Sequence, residues 1–484
     1  MEHLLKGKYE AVIGLEVHAQ LITASKAFSS DKNEYGSSPN SNVSEISLGL
    51  PGTLPQFNGS VLGHAIKLGI ACGCEIRHEN RFDRKNYFYA DLPKGYQITQ
   101  DKGPICTGGK IHLKTSLGEK VVNLTRIHME EDSGKSIHDQ DPYNSLVDLN
   151  RAGVPLLEIV SEPDIRTGEE AYQYLTEVRK LVRYLEICDG NMEEGSMRCD
   201  ANISVRLKDA PEYGRRVEVK NMNSIRNVQR AIEYEVGRHI ELIEKGEEIK
   251  RETRSFDAIK GTTFGMRSKE MDNDYRFFPE PDLLPVLVNA EDIDRMKSRM
   301  PALPNELYAK YTKELGLSEY DAGVIIDSKE IALYFEDMIE HTKNYKAAAN
   351  WLSGDVKSHL NKYGIDIAHF PIRSKWMAEL ITMIDEDKIS YSLAAQKLFP
   401  AMIGEPKTSP FKLAVKLNLI QESDELALME LVDEALAAFP EKVEEYKNGK
   451  KGLIGLFMGE IMKKSKGKAD PKKTNALLQE KLEA

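Results

Sequence analysis

Four short stretches of this chain put polar, chelating side chains on strand-like alternation. In Val12-Ile13-Gly14-Leu15-Glu16-Val17-His18-Ala19-Gln20-Leu21, the residues Ile13, Leu15, Val17, Ala19 and Leu21 fall on one face of an extended strand. Glu16, His18 and Gln20 fall on the other. A carboxylate and an imidazole two residues apart on a strand can reach one ion together. Arg126-Ile127-His128-Met129-Glu130-Glu131-Asp132, the segment around Glu158, and residues 198–206 with Asp200 and Asn202 offer the same kind of donors. Carboxylates on strands backed by an apolar layer suit a hard ion such as Mg²⁺, which prefers oxygen ligands and phosphates. A solvated strand face also carries Glu and His for solubility. For Asp200 and Glu218, beside Arg198, Asn202 and Lys220, mutual ion pairing is an equally plain account.

Phosphate chemistry needs a cation besides the metal. Arg84-Lys85-Asn86-Tyr87-Phe88-Tyr89 offers one, although a basic pair followed by aromatics is commonly a salt-bridged surface beside a core strand. Gly134-Lys135-Ser136 invites a P-loop reading, but the glycine needed five residues before Gly134 is Met129, and no G-x-G-x-x-G occurs. Any nucleotide must then sit in a cradle of another kind.

Two long helices are expected among these strands. One starts at Thr167 with Glu170 three residues on, a capping box, and buries Ala171, Leu175, Val178, Val182 and Leu185. The other runs from about 223 to 245 and stops before Gly246, with Ile225, Val228, Ile232, Val236 and Ile243 as its stripe. Strands outnumber helices up to about residue 290, so an α+β domain is expected over 1–290. Pro279, Pro281 and Pro285 punctuate its end. Amphipathic helices with short loops then predict an all-α linker domain over 291–405 and a helical tail domain over 406–484.

The chain has 484 residues, room for about three domains at roughly 150 residues each. Its net charge of −11 is uneven: residues 461–473 carry Lys463, Lys464, Lys466, Lys468, Lys472 and Lys473 against Asp470 alone. Such a run is either a solvated face or a phosphate-contacting patch. The cysteines (72, 74, 106, 188 and 199) are odd in number and follow no secretory start, which predicts reduced thiols in a cytoplasmic protein. Cys72-Gly73-Cys74 has no second pair nearby. No apolar run approaches ~18 residues, so no membrane helix is expected.

Longer strings surround these motifs: GLEVHAQL (14–21), LPGTLPQFN (50–58), RFDRKNYFYADLPKGYQI (81–98), IHMEEDSGKS (127–136), VDLNRAGVPLLEIVSEPDI (147–165), EEGSMRCDANISVR (193–206), EVKNMNS (218–224), DYRFFPEPDLLP (274–285) and GEIMKKSKGKADP (459–471). Over nearly its whole length the chain resembles the B subunits of the glutamyl/aspartyl-tRNA(Gln/Asn) amidotransferases. The resemblance implies a cradle-like α+β catalytic domain, a helical linker and a mobile helical tail that contacts tRNA. It implies an ATP-dependent carbon–nitrogen ligase that converts misacylated Glu-tRNA(Gln) or Asp-tRNA(Asn) to the amide. Ammonia would come from glutamine hydrolysed on a separate glutaminase (amidase) subunit, with a small third subunit completing a heterotrimer. His18, Glu131 and Glu158 match residues that hold Mg²⁺, with Glu16 as an acidic neighbour. Lys85 would meet the ATP phosphates, with Asn86 and Tyr87 shaping the pocket, and Lys85, Glu16 and Asp200 are the catalytic candidates. Glu193 and Glu194 would offer a further ion site or guide ammonium. Lys463, Lys464, Lys466 and Lys468 would meet nucleic acid. The resemblance implies a four-cysteine zinc knuckle in many members where this chain reads Ser29-Ser30-Asp31 through Asn42-Val43-Ser44-Glu45, and without those thiolates no structural zinc is expected. A non-catalytic tRNA-binding scaffold and a ligase for free small acids are the rival readings.

Overall fold

Strand β1 (Tyr9–Gln20) is the axis of the fold because its alternation is strict: Ile13, Leu15, Val17 and Ala19 are fully buried, while Glu16, His18 and Gln20 are half-buried on the opposite face. A computed structural model describes residues 7–266, 275–420, 425–465 and 467–483. Around β1 a ten-stranded sheet is built. Its strands include β2 (Gly118–Glu131), β3 (Pro155–Ser161), β4 (Met197–Leu207), β5 (Val217–Lys220), β6 (Thr253–Asp257) and the edge strand β7 (Thr262–Gly265), in the order β7-β6-β5-β4-β1-β3-β2. Pairing is antiparallel throughout this run except between β5 and β6.

The apolar face is closed by helices. Helices α2 (Gly168–Tyr184) and α3 (Ile225–Glu244) pack on each other; α3 also packs on β4, and α2 on the strand Lys110–Thr115. Thr167 caps α2 by accepting from Glu170 N at 3.1 Å, but the Glu170 carboxylate accepts from Arg166 N rather than closing the expected box. Helix α1 (Gly59–Cys72) packs on β2, and α4 (Ala290–Lys297) packs on α1. Antiparallel sheets covered on one side keep the other free for solvent or ligands, and here that free face carries the polar side chains.

The chain forms two compact units, 1–303 and 304–484. The boundary lies beyond the expected residue 290 because Ile293, Met296, Met300 and Leu303 pack on the N-terminal core. The second unit is all-helical, as expected. Its helices include Lys329–Ile339, Tyr345–Trp351 and Ser374–Asp385, with π-helical turns at Lys310–Glu314, Leu352–Val356 and Ala394–Leu398. Helix Pro410–Lys416 packs against Ser374–Asp385, so it belongs with the preceding helices rather than with a tail starting at 406. A separate core joins Leu428, Val432, Ala435, Phe457, Ile461 and Leu478. Among the described residues no helix is long and apolar enough to cross a membrane.

Candidate active site

The register of four strands lines up one row of side chains. His18 on β1 faces Glu158 on β3, which in turn faces His128 on β2; on its other side His18 faces Arg198 on β4. His18 Nε2 lies 3.4 Å from Glu158 and 3.6 Å from Glu130, and His128 Nε2 lies 3.3 Å from Glu158 and 3.7 Å from Glu130. Burial opposes a charged His18, but the hydrogen bond and charge of Glu158, with Glu130, outweigh it and raise the imidazole to about 9. His128 is raised by the same balance, and Glu158 is held low against its burial by both imidazoles. His18, Glu130 and Glu158 offer ligand atoms close enough to share one ion. One imidazole nitrogen and two carboxylates suit a divalent cation.

A second cluster lies one step along β1. Glu16, Asp200 and Glu218 also offer ligand atoms within reach of one ion. Lys220 Nζ sits among them, 2.5 Å from Asp200 and 2.9 Å from Glu218, and Asn202 donates to Glu16 at 2.8 Å. Burial and the neighbouring charge of Glu158 push the Glu16 carboxyl up, while the two carboxylates hold Lys220 charged against its burial. The cluster thus gathers three acids around one cation, an all-oxygen donor set suited to a hard ion.

Both clusters open on a cavity of about 570 Å³ lined by His18, Lys85, Tyr87, Glu130, Asp132, Arg198, Asp200 and Lys220, among others. Lys85 reaches it from the strand Asp83–Asn86, held between Tyr96–Thr99 and Arg276–Pro279. Its Nζ sits 4.6 Å from the Tyr275 ring centroid and has no carboxylate within 4.0 Å among the described residues. A cation held by an aromatic face rather than an acid remains available to an anionic ligand. Tyr87 lines the same cavity and contacts Gln97 at 3.4 Å. Asn86 has another role: its amide donates to the backbone of Arg84 and Arg276 and fastens the small sheet. A second cavity of about 280 Å³ includes Glu16 and Asn202 and is walled by Val12, Leu15, Val160, Pro163 and Tyr213.

Glu131 does not join the metal-type cluster; Glu130 occupies that place. Alternation explains the difference: His128 and Glu130 share the polar face of β2, and Glu131 follows Met129 to the other side. There its carboxylate pairs with Lys94 and accepts from Ile98 N at 2.9 Å. Asp132, buried, accepts from Arg198 at 2.6 Å and from Gln20 at 2.9 Å; against its burial, the charges of Arg198 and Arg151 and these hydrogen bonds hold its carboxyl low. Gly134 serves a turn and not a phosphate loop: its N donates to Asp91 O at 2.8 Å, and a Cβ there would come within 3.0 Å of that oxygen and of Leu149. Glu193 and Glu194 are exposed, in a turn whose amides bond Asn191 Oδ1. In the tail, Lys463 is exposed, Lys464 pairs with Glu434 at 2.8 Å, Lys468 is half-buried, and Lys466 lies outside the described residues. In the segment from Ser29 to Glu45, Asp31 accepts from Ser44 N at 3.0 Å and from the Ser44 and Ser47 hydroxyls at 3.0 and 2.5 Å.

An open sheet bearing two acid-rich clusters beside a polar cavity, with a lysine that has no carboxylate partner among the described residues, has the side chains of a catalytic domain. The profile of the GatB/GatE catalytic domain matches residues 11–294, and that of the GatB domain matches residues 333–482. The chain belongs to the GatB family, the B subunits of the tRNA-dependent amidotransferases. It is 47% identical over 479 residues to the B subunit of the aspartyl/glutamyl-tRNA(Asn/Gln) amidotransferase of Alkalilimnicola ehrlichii, covering 99% of this chain and 100% of that protein. The proteins of the same name from Pelodictyon phaeoclathratiforme and Bdellovibrio bacteriovorus are 48% and 46% identical, with 98% of this chain covered in each case and 100% and 99% of theirs.

Proposed function

We propose that this chain amidates misacylated Glu-tRNA(Gln), Asp-tRNA(Asn) or both, by ATP-dependent activation of the aminoacyl side-chain carboxylate at the sheet cavity. The observation that carries the reading is that His18, Glu130, Asp200 and Lys85 line one polar cavity, with Glu158 in the His18 cluster and Glu16 in the Asp200 cluster behind them. A carboxylate is too poor an electrophile for ammonia at neutral pH. Attack of that carboxylate on the γ-phosphate of ATP gives an acyl phosphate and ADP, and ammonia then displaces phosphate to leave the amide.

The chain's own residues supply position and charge. His18, Glu130 and Glu158 would hold Mg²⁺, and Glu16, Asp200 and Glu218 have the oxygen donors for a second ion; such ions neutralise phosphoryl oxygens. Lys85 neutralises the transferring phosphoryl group from the opposite sheet. The apolar walls of the smaller cavity beside Glu16 suit a purine base, which would lay the triphosphate along Glu16 and Asp200. Lys220 holds the acids of that cluster apart and partly neutralised. Ammonia would arrive from a separate glutaminase subunit, with a small third subunit completing the complex in the cytoplasm. The lysines of the tail would meet tRNA phosphates.

The test is amide formation by the assembled enzyme with ATP, Mg²⁺ and glutamine, supplied with misacylated tRNA or with free glutamate and aspartate. Turnover of the aminoacyl-tRNA alone is expected. Equal turnover of the free acids would make the chain a small-acid ligase, and no ATP consumption would make it a scaffold.

A further inference from the structure

A groove beside the reaction cavity is the feature that the preceding chemistry leaves unused. It encloses about 700 Å³ and runs from the last turns of α2, with Arg179 and Arg183, past the 189–193 turn to the first turn of α3, with Arg226. It shares Met192 and Asn223 with the 570 Å³ cavity, so the two adjoin. None of Arg179, Arg183 and Arg226 has a carboxylate within 4.0 Å among the described residues. Of the two acids that line the groove, Asp189 is engaged by Asn191 N at 2.8 Å and the Ser196 hydroxyl at 3.2 Å, and Glu193 is exposed. Arg179 is held in a set place: its Cγ would lie 2.5 Å from a Cβ at position 190, so only a glycine there lets the side chain lie flat along the turn. Gly190 also has a φ of +70°, which a side chain rarely adopts.

We infer that this groove binds the single-stranded 3′ end of the RNA substrate and feeds its aminoacyl group into the reaction cavity. The inference rests on the amidation reading above. Three guanidinium groups in a row match backbone phosphates, which Arg meets in a planar, bidentate way. Tyr172, exposed on α2, offers a ring on which a base can stack. Asn191, Asn223 and Gln229 line the same groove; Asn191 Oδ1 accepts from Glu193 and Glu194 N, Asn223 Oδ1 from Asn227, and Gln229 Nε2 donates to Glu233, which leaves the Asn191 and Asn223 NH₂ groups to donate to base edges and Gln229 Oε1 to accept from them. An arginine row, a stacking ring and adaptable amides leading into a catalytic cavity are what a flexible nucleotide strand requires.

The experiment uses the assembled enzyme and two substrates: whole misacylated tRNA, and a misacylated minihelix holding only the acceptor stem and its 3′ end. Arg179→Ala/Arg183→Ala/Arg226→Ala should raise KM for both by about tenfold or more, and leave kcat at saturating RNA within about twofold. Losing three single-strand phosphate contacts should also flatten the salt slope of log affinity by about 2. The triple Arg→Lys variant keeps the charges and should recover most of the loss, and Arg226→Ala alone, at an exposed site, guards against a folding defect. An unchanged KM for the minihelix in an active enzyme would overturn the inference and leave the amidation reading intact. Failure of the folded variant to assemble with its partners would overturn it too, because the groove would then be an interface between subunits. If the unaltered enzyme amidates neither RNA, the underlying reading falls and the inference with it.

Discussion

Removing Glu280 should disable the site from a distance. Arg84, next to Lys85, donates to Glu280 through Nε at 2.7 Å and Nη2 at 2.9 Å, and the Glu280 side chain is 0% exposed while that of Arg84 is 19% exposed. The guanidinium also lies 4.2 Å from the Tyr96 ring. This bidentate pair ties the strand that carries Lys85 to the segment after Arg276–Pro279. Breaking a buried pair by deleting one partner costs about 3–5 kcal/mol when the remaining charge is stranded; Asp282, 3.0 Å from Arg84 Nη2, keeps one partner on the guanidinium, so the lower end, about 3 kcal/mol, is expected. At roughly 2–4 °C per kcal/mol for a domain of this order of size, Glu280→Ala should lower the melting temperature of the N-terminal unit by on the order of 10 °C. Arg84→Met/Glu280→Leu, which strands no charge, should recover most of that loss. Amidation at a permissive temperature should fall in the single variant mainly through kcat, since Lys85 loses its fixed position. Differential scanning calorimetry and steady-state kinetics on the parent and both variants check this. A Glu280→Ala unit within about 1 kcal/mol of the parent, or a double variant no better than the single one, would refute the reasoning.

Lys85→Ala should lower ATP-dependent turnover by tenfold or more with tRNA affinity unchanged; a collapse of affinity with intact single-turnover chemistry would make Lys85 an RNA contact instead. Glu235, whose side chain is 0% exposed, is held at about 2: burial would raise it, but the His239 ring, Arg238 and Thr263 lower it further than burial lifts it. Its folded value lies below its ordinary 4.5, so its stabilisation is fully present above pH 4.5 and is lost as pH falls through about 2. The gap from 4.5 to about 2, at ~1.36 kcal/mol per pH unit, is about 3 kcal/mol. Glu235→Gln should therefore melt lower at pH 6 and lose less between pH 5 and pH 3 than the parent; parallel curves would contradict this. Truncation after residue 420 should weaken tRNA binding strongly and flatten its salt dependence while slow ATP hydrolysis persists; equal affinity and slope would mean that the tail lysines are only a solvated face.

The strands and the two long helices were legible because their periodicities are strict. The alternation of β1 separates Leu15 and Val17 from Glu16 and His18 without ambiguity, and α3 keeps one apolar stripe to Glu244. The same alternation singles out Glu130, since His128 and Glu130 are two apart, but the resemblance pointed to Glu131 and the parity of β2 decides against it. His128 carried a signal of the same kind. The domain edges were harder, because Met296 and Leu303 look like the start of a helical region and only tertiary packing assigns them to the first core. Asn86 illustrates what no pattern reveals: its amide closes a backbone gap between strands some 190 residues apart in sequence. The engagement of Lys464 by Glu434 likewise depends on how the tail helices pack.

The most direct measurement is amide formation and ATP hydrolysis by the assembled enzyme carrying Glu130→Ala or Glu158→Ala, with glutamine hydrolysis followed in the same preparations. Losing a ligand from the His18 cluster removes charge stabilisation worth several kcal/mol. Both variants should lose tRNA-dependent ATP hydrolysis and amide formation by about a thousandfold while glutamine hydrolysis remains measurable. Near-normal amide formation in both would contradict the assignment of catalysis to this cavity.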